Sequence, residues 1–376
     1  MKKIKLALAI RALDIGGAER QFLELAKNID KSKYDVTIYV MYERDLDSEA
    51  KSLEGVKFIH LAKESRYDNI SFMKKYIKSL DEEQIDIVYA YLIEMNLFSL
   101  WARRFVKKDM KVVWGFRSSN MDLKKFGKFP QFLFYLQKKF SPKVDKIISN
   151  SHASVEFYKE MDYDVSKAVV IHNGINVDRF KPSKDERVAF RSKHNLVDED
   201  IAIGIVARVN YMKGYPVLAK AMKKLMSEDD RVRLFAVGGG EDEIQKECEE
   251  ILGEFNKRVT WFGAQGSVES EFYNGLDIYV SSSIFGEGFS NSIAEAMCCE
   301  VPSVSTRVGD SHIVVGDEGI MVNGDDVNGL YVGLKEMISL EKKELGKRAR
   351  THIVENFSTM SMVKNTQKEL EICVES

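Results

Sequence analysis

The chain is poor in proline, cysteine and tryptophan, with 5, 4 and 3 among 376 residues. Cys248, Cys298, Cys299 and Cys373 form no C-x-x-C pair and no Cys/His ligand spacing. That pattern excludes a zinc site and a disulfide framework as readings of the sequence. No apolar run approaches the ~18 residues of a membrane span. Met1-Lys2-Lys3 runs straight into an apolar stretch with no secretory leader, so a reducing cytosol is the expected setting. No D-x-D follows a strand, and Asp325-Asp326 lie in an Asn-Gly-Asp-Asp turn, where turn chemistry suffices. A metal is therefore not expected. No Ser-His-Asp or Cys-His arrangement can be assembled.

What is present is an ordinary globular composition, 44% hydrophobic and 30% charged, long enough for two or three domains. Charge is unevenly spread. Residues 1–183 carry 33 basic against 25 acidic residues, and the remainder 23 against 33. Such asymmetry suggests that one face meets an anionic surface.

Strand and helix patterns alternate along the chain. Apolar runs at 4–10, 35–41, 56–61, 85–92, 111–115, 144–149 and 168–172 read as strands. Stripes such as Ile70, Met73, Tyr76, Ile77 and Leu80 lie between them. This is the grammar of a doubly wound α/β sheet, whose ligands sit at the carboxyl ends of the strands. Lys181-Pro182-Ser183 looks like a linker, which places a domain boundary near Ser183. The alternation then restarts with strands at 201–207, 234–237, 259–262, 277–281 and 304–306. Gly238-Gly239-Gly240 is no dinucleotide fingerprint, because Glu243 stands where the third glycine would fall. The tail from Val327 onward reads as helical, ending in a helix over 357–373.

Ser281–Asp310 is the informative stretch. A strand ends in a serine run, a loop carries Gly286 and Gly288, and a helix is expected from about Ser290 to Cys298. A glycine loop feeding a helix offers backbone N–H groups and a favourable dipole to phosphate. Glu287 and Glu295 frame it, eight positions apart. Carboxylates beside a phosphate site suit the hydroxyls of a ribose or sugar; equally, acids near a helix start are common for dipole reasons alone. Arg208 and Lys213 follow a strand and suit a diphosphate clamp, or are two surface cations. Gly16-Gly17, between a strand and a helix, is either a second anion cradle or a tight turn that needs glycine.

Residues 101–146 hold 13 basic and 3 acidic residues. Trp101, Phe105, Trp114, Phe116, Phe126, Phe129, Phe132, Phe134, Tyr135 and Phe140 are interleaved with them. Basic plus aromatic composition fits a surface lying on anionic lipid. The alternatives are a core of aromatics beneath solvated lysines and, least favoured, a nucleic-acid track.

Six motifs then stand in one order: Gly16-Gly17-Ala18-Glu19-Arg20, Ser149-Asn150-Ser151, Ile171-His172-Asn173-Gly174-Ile175-Asn176, Arg208 with Lys213-Gly214, Val259-x-x-Phe262-Gly263, and Glu287-x7-Glu295. Together, over nearly the whole chain, they resemble the family-4 retaining glycosyltransferases of GT-B fold. The resemblance implies two Rossmann-like domains facing across a cleft, 1–183 for the acceptor and 184–356 for the nucleotide sugar. It also implies that a final helix, 357–376, packs back on the first domain. By position, Arg208 and Lys213 would neutralise the donor diphosphate, assisted by Gly288, Phe289, Ser290 and Asn291. Glu295 would take the ribose, Glu287 the donor sugar, and Gly263-Ala264 the base. Gly16-Gly17 would approach the phosphates from the first domain.

The implied reaction is retaining and metal-independent. It would move a sugar from a UDP-sugar, favoured over a GDP-sugar, to a polysaccharide or a lipid-linked glycan. The enzyme would be cytoplasmic and peripheral on the membrane through 101–146, without nucleic acid as a partner. An epimerase of the UDP-N-acetylglucosamine 2-epimerase type, or a non-catalytic nucleotide-sugar sensor, are the alternatives. Three departures from the family pattern stand out. Arg117 follows the 111–115 strand where many members carry histidine, and is a candidate catalytic contact. Glu300 ends the Ser290–Cys298 helix where glycine is common. Ile313 replaces an acid beyond Gly309-Asp310-Ser311-His312.

Overall fold

The computed structural model describes residues 3–14, 16–63, 65, 68–117, 119, 127–266 and 268–376. The chain divides into two compact units, Met1–Gly174 with Thr359–Ser376, and Ile175–Ser358.

The first unit holds seven parallel strands: β1 (Ile4–Ile10), β2 (Tyr34–Val40), β3 (Val56–His60), β4 (Ile87–Tyr91), β5 (Lys111–Phe116), β6 (Lys146–Ser149) and β7 (Ala168–Val170). Their order is β3-β2-β1-β4-β5-β6-β7. β1 shows why the run is continuously apolar. Leu6, Leu8 and Ile10 enter one core, while Ala7 and Ala9 enter the core on the opposite face. A parallel strand covered on both sides needs apolar residues at every position. One core receives Phe22, Leu25 and Ala26 from the helix Gly17–Asn28, together with Met362, Val363 and Leu370 of the terminal helix Thr359–Glu375. Lys146 and Glu369 pair at 2.5 Å, and the Tyr34 hydroxyl donates to the Gln367 carbonyl at 3.2 Å. The terminal helix is therefore an integral layer of this unit.

The second unit holds six parallel strands: β8 (Ile201–Val206), β9 (Val232–Val237), β10 (Val259–Trp261), β11 (Ile278–Ser281), β12 (Ser303–Thr306) and β13 (Gly319–Val322), in the order β10-β9-β8-β11-β12-β13. Each strand read from the sequence forms, its ends shifted by no more than two residues. β13 is the addition. It is short, half-buried and begins at a glycine, so it carries little period-2 or apolar signal.

The division differs from the boundary expected near Ser183. Ile175 and Phe180 are buried in the core of the second unit, and Ser183 caps the helix Lys184–Lys193, its Oγ accepting from the Glu186 N–H at 3.3 Å. Lys181-Pro182-Ser183 is thus a helix lead-in within one unit. Likewise Phe357 is core to the second unit, and the final helix starts at Thr359.

The basic, aromatic segment 101–146 splits. Trp114 and Phe116 are fully buried on β5, and Phe134 is buried on the helix Lys128–Phe140. Phe105, Phe129, Phe132 and Tyr135 are exposed. Ser118 and residues 120–126, with Lys124, Lys125 and Phe126, lie outside the described residues. Among the described residues no helix is long and apolar enough to cross a membrane.

Candidate functional site

In the second unit the connections leave β8 toward β9 on one side and leave β11 toward β12 on the other. The crevice outside the carboxyl ends of β8 and β11 is thus a topological switch point, where open α/β sheets bind ligands. Both loops that the sequence singled out emerge there.

The β8 loop is built to fix Lys213. Asn210 caps a short turn, its side-chain oxygen accepting from the Lys213 N–H at 3.1 Å. Gly214 follows at φ +66°, and a Cβ there would lie 1.9 Å from the Ser282 carbonyl. Only glycine satisfies both demands. Two bonds stitch this loop to the end of β11: the Ser282 hydroxyl donates to the Lys213 carbonyl at 2.8 Å, and the Ile284 N–H to the Met212 carbonyl at 2.8 Å. The Lys213 ammonium pairs with Glu287, whose same oxygen accepts from the Ser283 hydroxyl at 3.2 Å. The two side chains are only 16% and 11% exposed, so solvent screens the pair weakly. Arg208 is exposed and has no ion pair among the described residues.

The β11 loop leads into the helix Asn291–Cys298. Its approach is fixed from behind. The Asp310 N–H donates to the Gly288 carbonyl at 2.9 Å, and Gly309 lies at φ +60° with no room for a Cβ beside the Glu287 carbonyl. Phe289 is buried against Phe357, ring centroids 5.4 Å apart. Gly288, Phe289, Ser290 and Asn291 thus lead directly into the amino end of the helix. Two buried tyrosines hold the underside of that helix. The Tyr273 hydroxyl donates to Glu295 at 2.5 Å, and the Tyr279 hydroxyl to Ser292 Oγ at 2.7 Å. Burial pushes both phenols upward, Tyr273 well above its usual range, with Glu295 adding to the effect. Glu295 and Glu287 add to the upward push on Tyr279.

The remaining wall comes from β9 and β10. Gly238, Gly239 and Gly240 press against the Ala207 carbonyl, Ala264 and the Val209 carbonyl, with no room for a Cβ at any of the three. The Gly238 N–H donates to the Gly263 carbonyl at 2.9 Å. The triple glycine therefore locks the loops after β8, β9 and β10 together and leaves Ala264 exposed on the surface.

Gly16, Gly17 and Arg117 belong to the first unit, at the carboxyl ends of β1 and β5. Gly16 has φ −158°, an extended conformation open to any residue, so a left-handed turn does not explain it. Arg117 is enclosed. Its guanidinium donates to the Tyr89 hydroxyl, to the Tyr91 hydroxyl at 2.7 Å and to Asn173 at 3.5 Å, and it lies 4.3 Å from the Tyr91 ring centroid. Its buried Nε has no hydrogen-bond partner among the described residues. No carboxylate pairs with it among the described residues.

Sequence reasoning missed Tyr273, Tyr279, Ser283 and Asp310. Tyr273 and Asp310 stand 22 residues from the groups they serve, Glu295 and Gly288, and Ser283 lies only four from Glu287 but carries no signal of its own within the serine run. Glu300, which stands where glycine is common, has φ +63°, the left-handed conformation that favours glycine.

A family profile described as Glycosyltransferase Family 4 matches residues 15–179, and one described as Glycosyl transferases group 1 matches 200–339. The N-acetylgalactosamine-N,N'-diacetylbacillosaminyl-diphospho-undecaprenol 4-alpha-N-acetylgalactosaminyltransferase of Campylobacter jejuni is 24% identical, covering 97% of this chain and 99% of its own. HepE of Anabaena, solved with UDP, superposes with a TM-score of 0.83 at 16% identity, covering 98% of this chain and all of that one. WaaG, a glycosyltransferase involved in lipopolysaccharide biosynthesis, gives 0.73 at 14% identity, covering 96% and 98%.

Proposed function

The chain belongs to the family-4, group 1 glycosyltransferases of GT-B fold, and from that premise we propose that it moves a sugar from a UDP-sugar to a lipid-linked glycan, with retention and without a metal. The constellation at the β8/β11 switch point carries the proposal. A cation, an anion and an oriented acid stand around the amino end of a helix.

Each group has a role. Arg208 and Lys213 take the donor diphosphate, and the backbone N–H groups from Gly288 to Asn291 add the helix dipole. These fixed charges stabilise the leaving diphosphate as the glycosidic bond breaks, the work a divalent cation would otherwise do. Glu295, oriented by Tyr273, accepts from the ribose hydroxyls. Glu287 exchanges its bond to Lys213 for the hydroxyls of the donor sugar, which frees the ammonium for phosphate. Gly263-Ala264 offers a flat, side-chain-poor surface to the base. The acceptor hydroxyl attacks the anomeric carbon from the face that the diphosphate leaves. The relatives support the donor and acceptor classes: HepE was solved with UDP, UDP and glucose, and UDP-glucose, and the Campylobacter relative is named for a diphospho-undecaprenol substrate. Exposed Phe129, Phe132 and Tyr135 beside Lys128, Lys138 and Lys139 fit a peripheral seat on anionic membrane at the cytoplasmic face.

The test is turnover with a panel of UDP- and GDP-sugars and a prenyl-diphosphate-linked saccharide, with and without EDTA. The proposal expects one UDP-sugar to give a glycan whose anomeric configuration matches the donor, unaffected by EDTA. An isomerised UDP-sugar formed without acceptor would mean an epimerase. Tight UDP binding with no turnover of any pair would mean a sensor.

A further inference from the structure

The carboxyl end of the first unit's sheet carries a second feature that the donor chemistry does not use. A groove of about 680 Å³ opens there, within the ~300–1,000 Å³ range of small-molecule sites. Arg11 follows β1, Met41 and Tyr42 follow β2, and Lys63 follows β3. Two helices complete it: Ile93–Ala102, which follows β4, and Lys128–Phe140.

Its chemistry is two-sided. The floor and walls are apolar and largely aromatic: Tyr42, Leu97, Phe98, Trp101, Phe132 and Leu133. Phe98 and Trp101 pack edge to face at 6.0 Å, and Trp101 meets Phe140 at 6.4 Å. Phe129 and Phe132, both 53% exposed, flank the opening. Exposed large apolar residues gathered on one groove mark a binding site more than scattered ones do. Three cations are added to this: Arg11, Lys63 and Lys128. Arg11 is matched by Glu94 at 3.6 Å. Lys63 is only 5% exposed, bonds to the Ser65 carbonyl and lies 5.9 Å from the Phe72 ring centroid. Burial pulls its pKa down, offset in part by Asp68. An apolar trough with cations at its margin fits an amphiphile with a long hydrocarbon chain and an anionic head.

Backbone strain fixes one wall. Leu92, the residue before the helix Ile93–Ala102, has φ +68°, a strained conformation retained where the surroundings enforce it. The strained turn directs that helix, with Glu94, Leu97, Phe98 and Trp101, into the groove.

We propose that this groove holds the isoprenoid chain of a prenyl-diphosphate-linked acceptor, with Lys63 and Lys128 at its phosphates. The assignment rests on the lipid-linked acceptor proposed above and names where the lipid end sits. An acceptor held by its lipid end leaves its glycan end free to change, so affinity follows the lipid and the diphosphate rather than the sugar.

Trp101 is the natural reporter, because Trp114 is fully buried and Trp261 belongs to the second unit. The full chain is titrated with farnesyl diphosphate below its micellar concentration, and tryptophan emission is followed. Inorganic diphosphate and vesicles of phosphatidylglycerol are the comparison probes. The expected result is a saturable change that Trp101→Phe abolishes and that inorganic diphosphate does not reproduce. Phe132→Glu, at an exposed position that folding tolerates, should weaken farnesyl diphosphate binding about tenfold, the loss of one well-buried apolar contact. Lys128→Gln should weaken it too. UDP stabilisation of the same variants should be unchanged, which separates this site from the donor site. A response to vesicles with none to farnesyl diphosphate would overturn the proposal and leave this face a membrane-seating surface only. So would equal affinity of Phe132→Glu and wild type. Transfer to the lipid-linked acceptor that Phe132→Glu leaves intact would overturn the groove while the proposed function stands. Farnesyl diphosphate binding without transfer to any lipid-linked acceptor would uphold the groove and sink the function.

Discussion

Removing Lys213 should destabilise the unliganded protein as well as its donor complex. Asn210 and Gly214 fix the Lys213 backbone in the β8 loop, and the ammonium lies against Glu287, both side chains more than four-fifths enclosed. Deleting one partner of a buried pair leaves the other charge uncompensated, at ~3–5 kcal/mol for full burial. Residual solvent at this pair, and the Ser283 hydroxyl that stays with Glu287, bring the expectation for Lys213→Met down to about 2–3 kcal/mol. For a unit of this size that lowers Tm by roughly 4–12 °C. Lys213→Met with Glu287→Gln should recover at least half of the loss, because no charge is then stranded. Scanning calorimetry on the four proteins of the cycle, without ligand, reads the coupling directly. UDP at 100 times its dissociation constant adds about 2.7 kcal/mol to wild type and should add far less to either Lys213 variant. An unchanged unliganded Tm for Lys213→Met would refute the reasoning, since the pair would then not exist in the free enzyme. A coupling near zero would refute it equally.

Three further outcomes follow from the same structure. Tyr273→Phe removes the 2.5 Å bond to Glu295; a hydrogen bond to a charged group is worth about 1.5–3 kcal/mol, so UDP affinity by calorimetric titration should fall about tenfold or more, with the larger loss in nucleotides bearing both ribose hydroxyls than in their 2'-deoxy forms. Glu300→Gly should raise the unfolding free energy by about 1 kcal/mol in urea melts, because φ +63° costs a side-chain-bearing residue what glycine avoids. All four thiols are buried, and burial pushes Cys298 up to about 11 and Cys248 up to about 12. The reactive thiolate is therefore scarce below those values, and a colorimetric thiol reagent at pH 8 should label the native chain slowly and the denatured chain at all four cysteines.

Periodicity was a sufficient guide where a strand is buried on both faces. β1, β4 and β8 are continuous apolar runs, and their helices carry clear stripes, so the doubly wound order could be read directly. β13 escaped because its residues are half-buried at a sheet edge and one is glycine. The boundary near Ser183 misled because a Pro-Ser pair before a helix serves a cap as well as a linker, and only packing tells them apart. In the site, Glu287, Glu295, Lys213 and the glycine loop were legible from residue type and spacing. The pairing of Lys213 with Glu287, 74 positions away, was not, and neither was the tyrosine beneath Glu295. These are contacts made by the sheet's topology, which brings β8 beside β11. The segment 101–146 shows the limit of composition: Trp114 and Phe116 are core, Phe129 and Phe132 are surface, and the two groups alternate in one stretch of sequence.

The most direct test of the donor site is a thermal-shift series with UDP, GDP and ADP, with and without EDTA, on wild type, Arg208→Ala and Glu295→Ala. Stabilisation of a few degrees by UDP, unaffected by EDTA and absent from both variants, is the predicted result. Stabilisation that needs a divalent cation, or that both variants retain in full, would contradict a metal-free diphosphate and ribose site at the β8/β11 switch point.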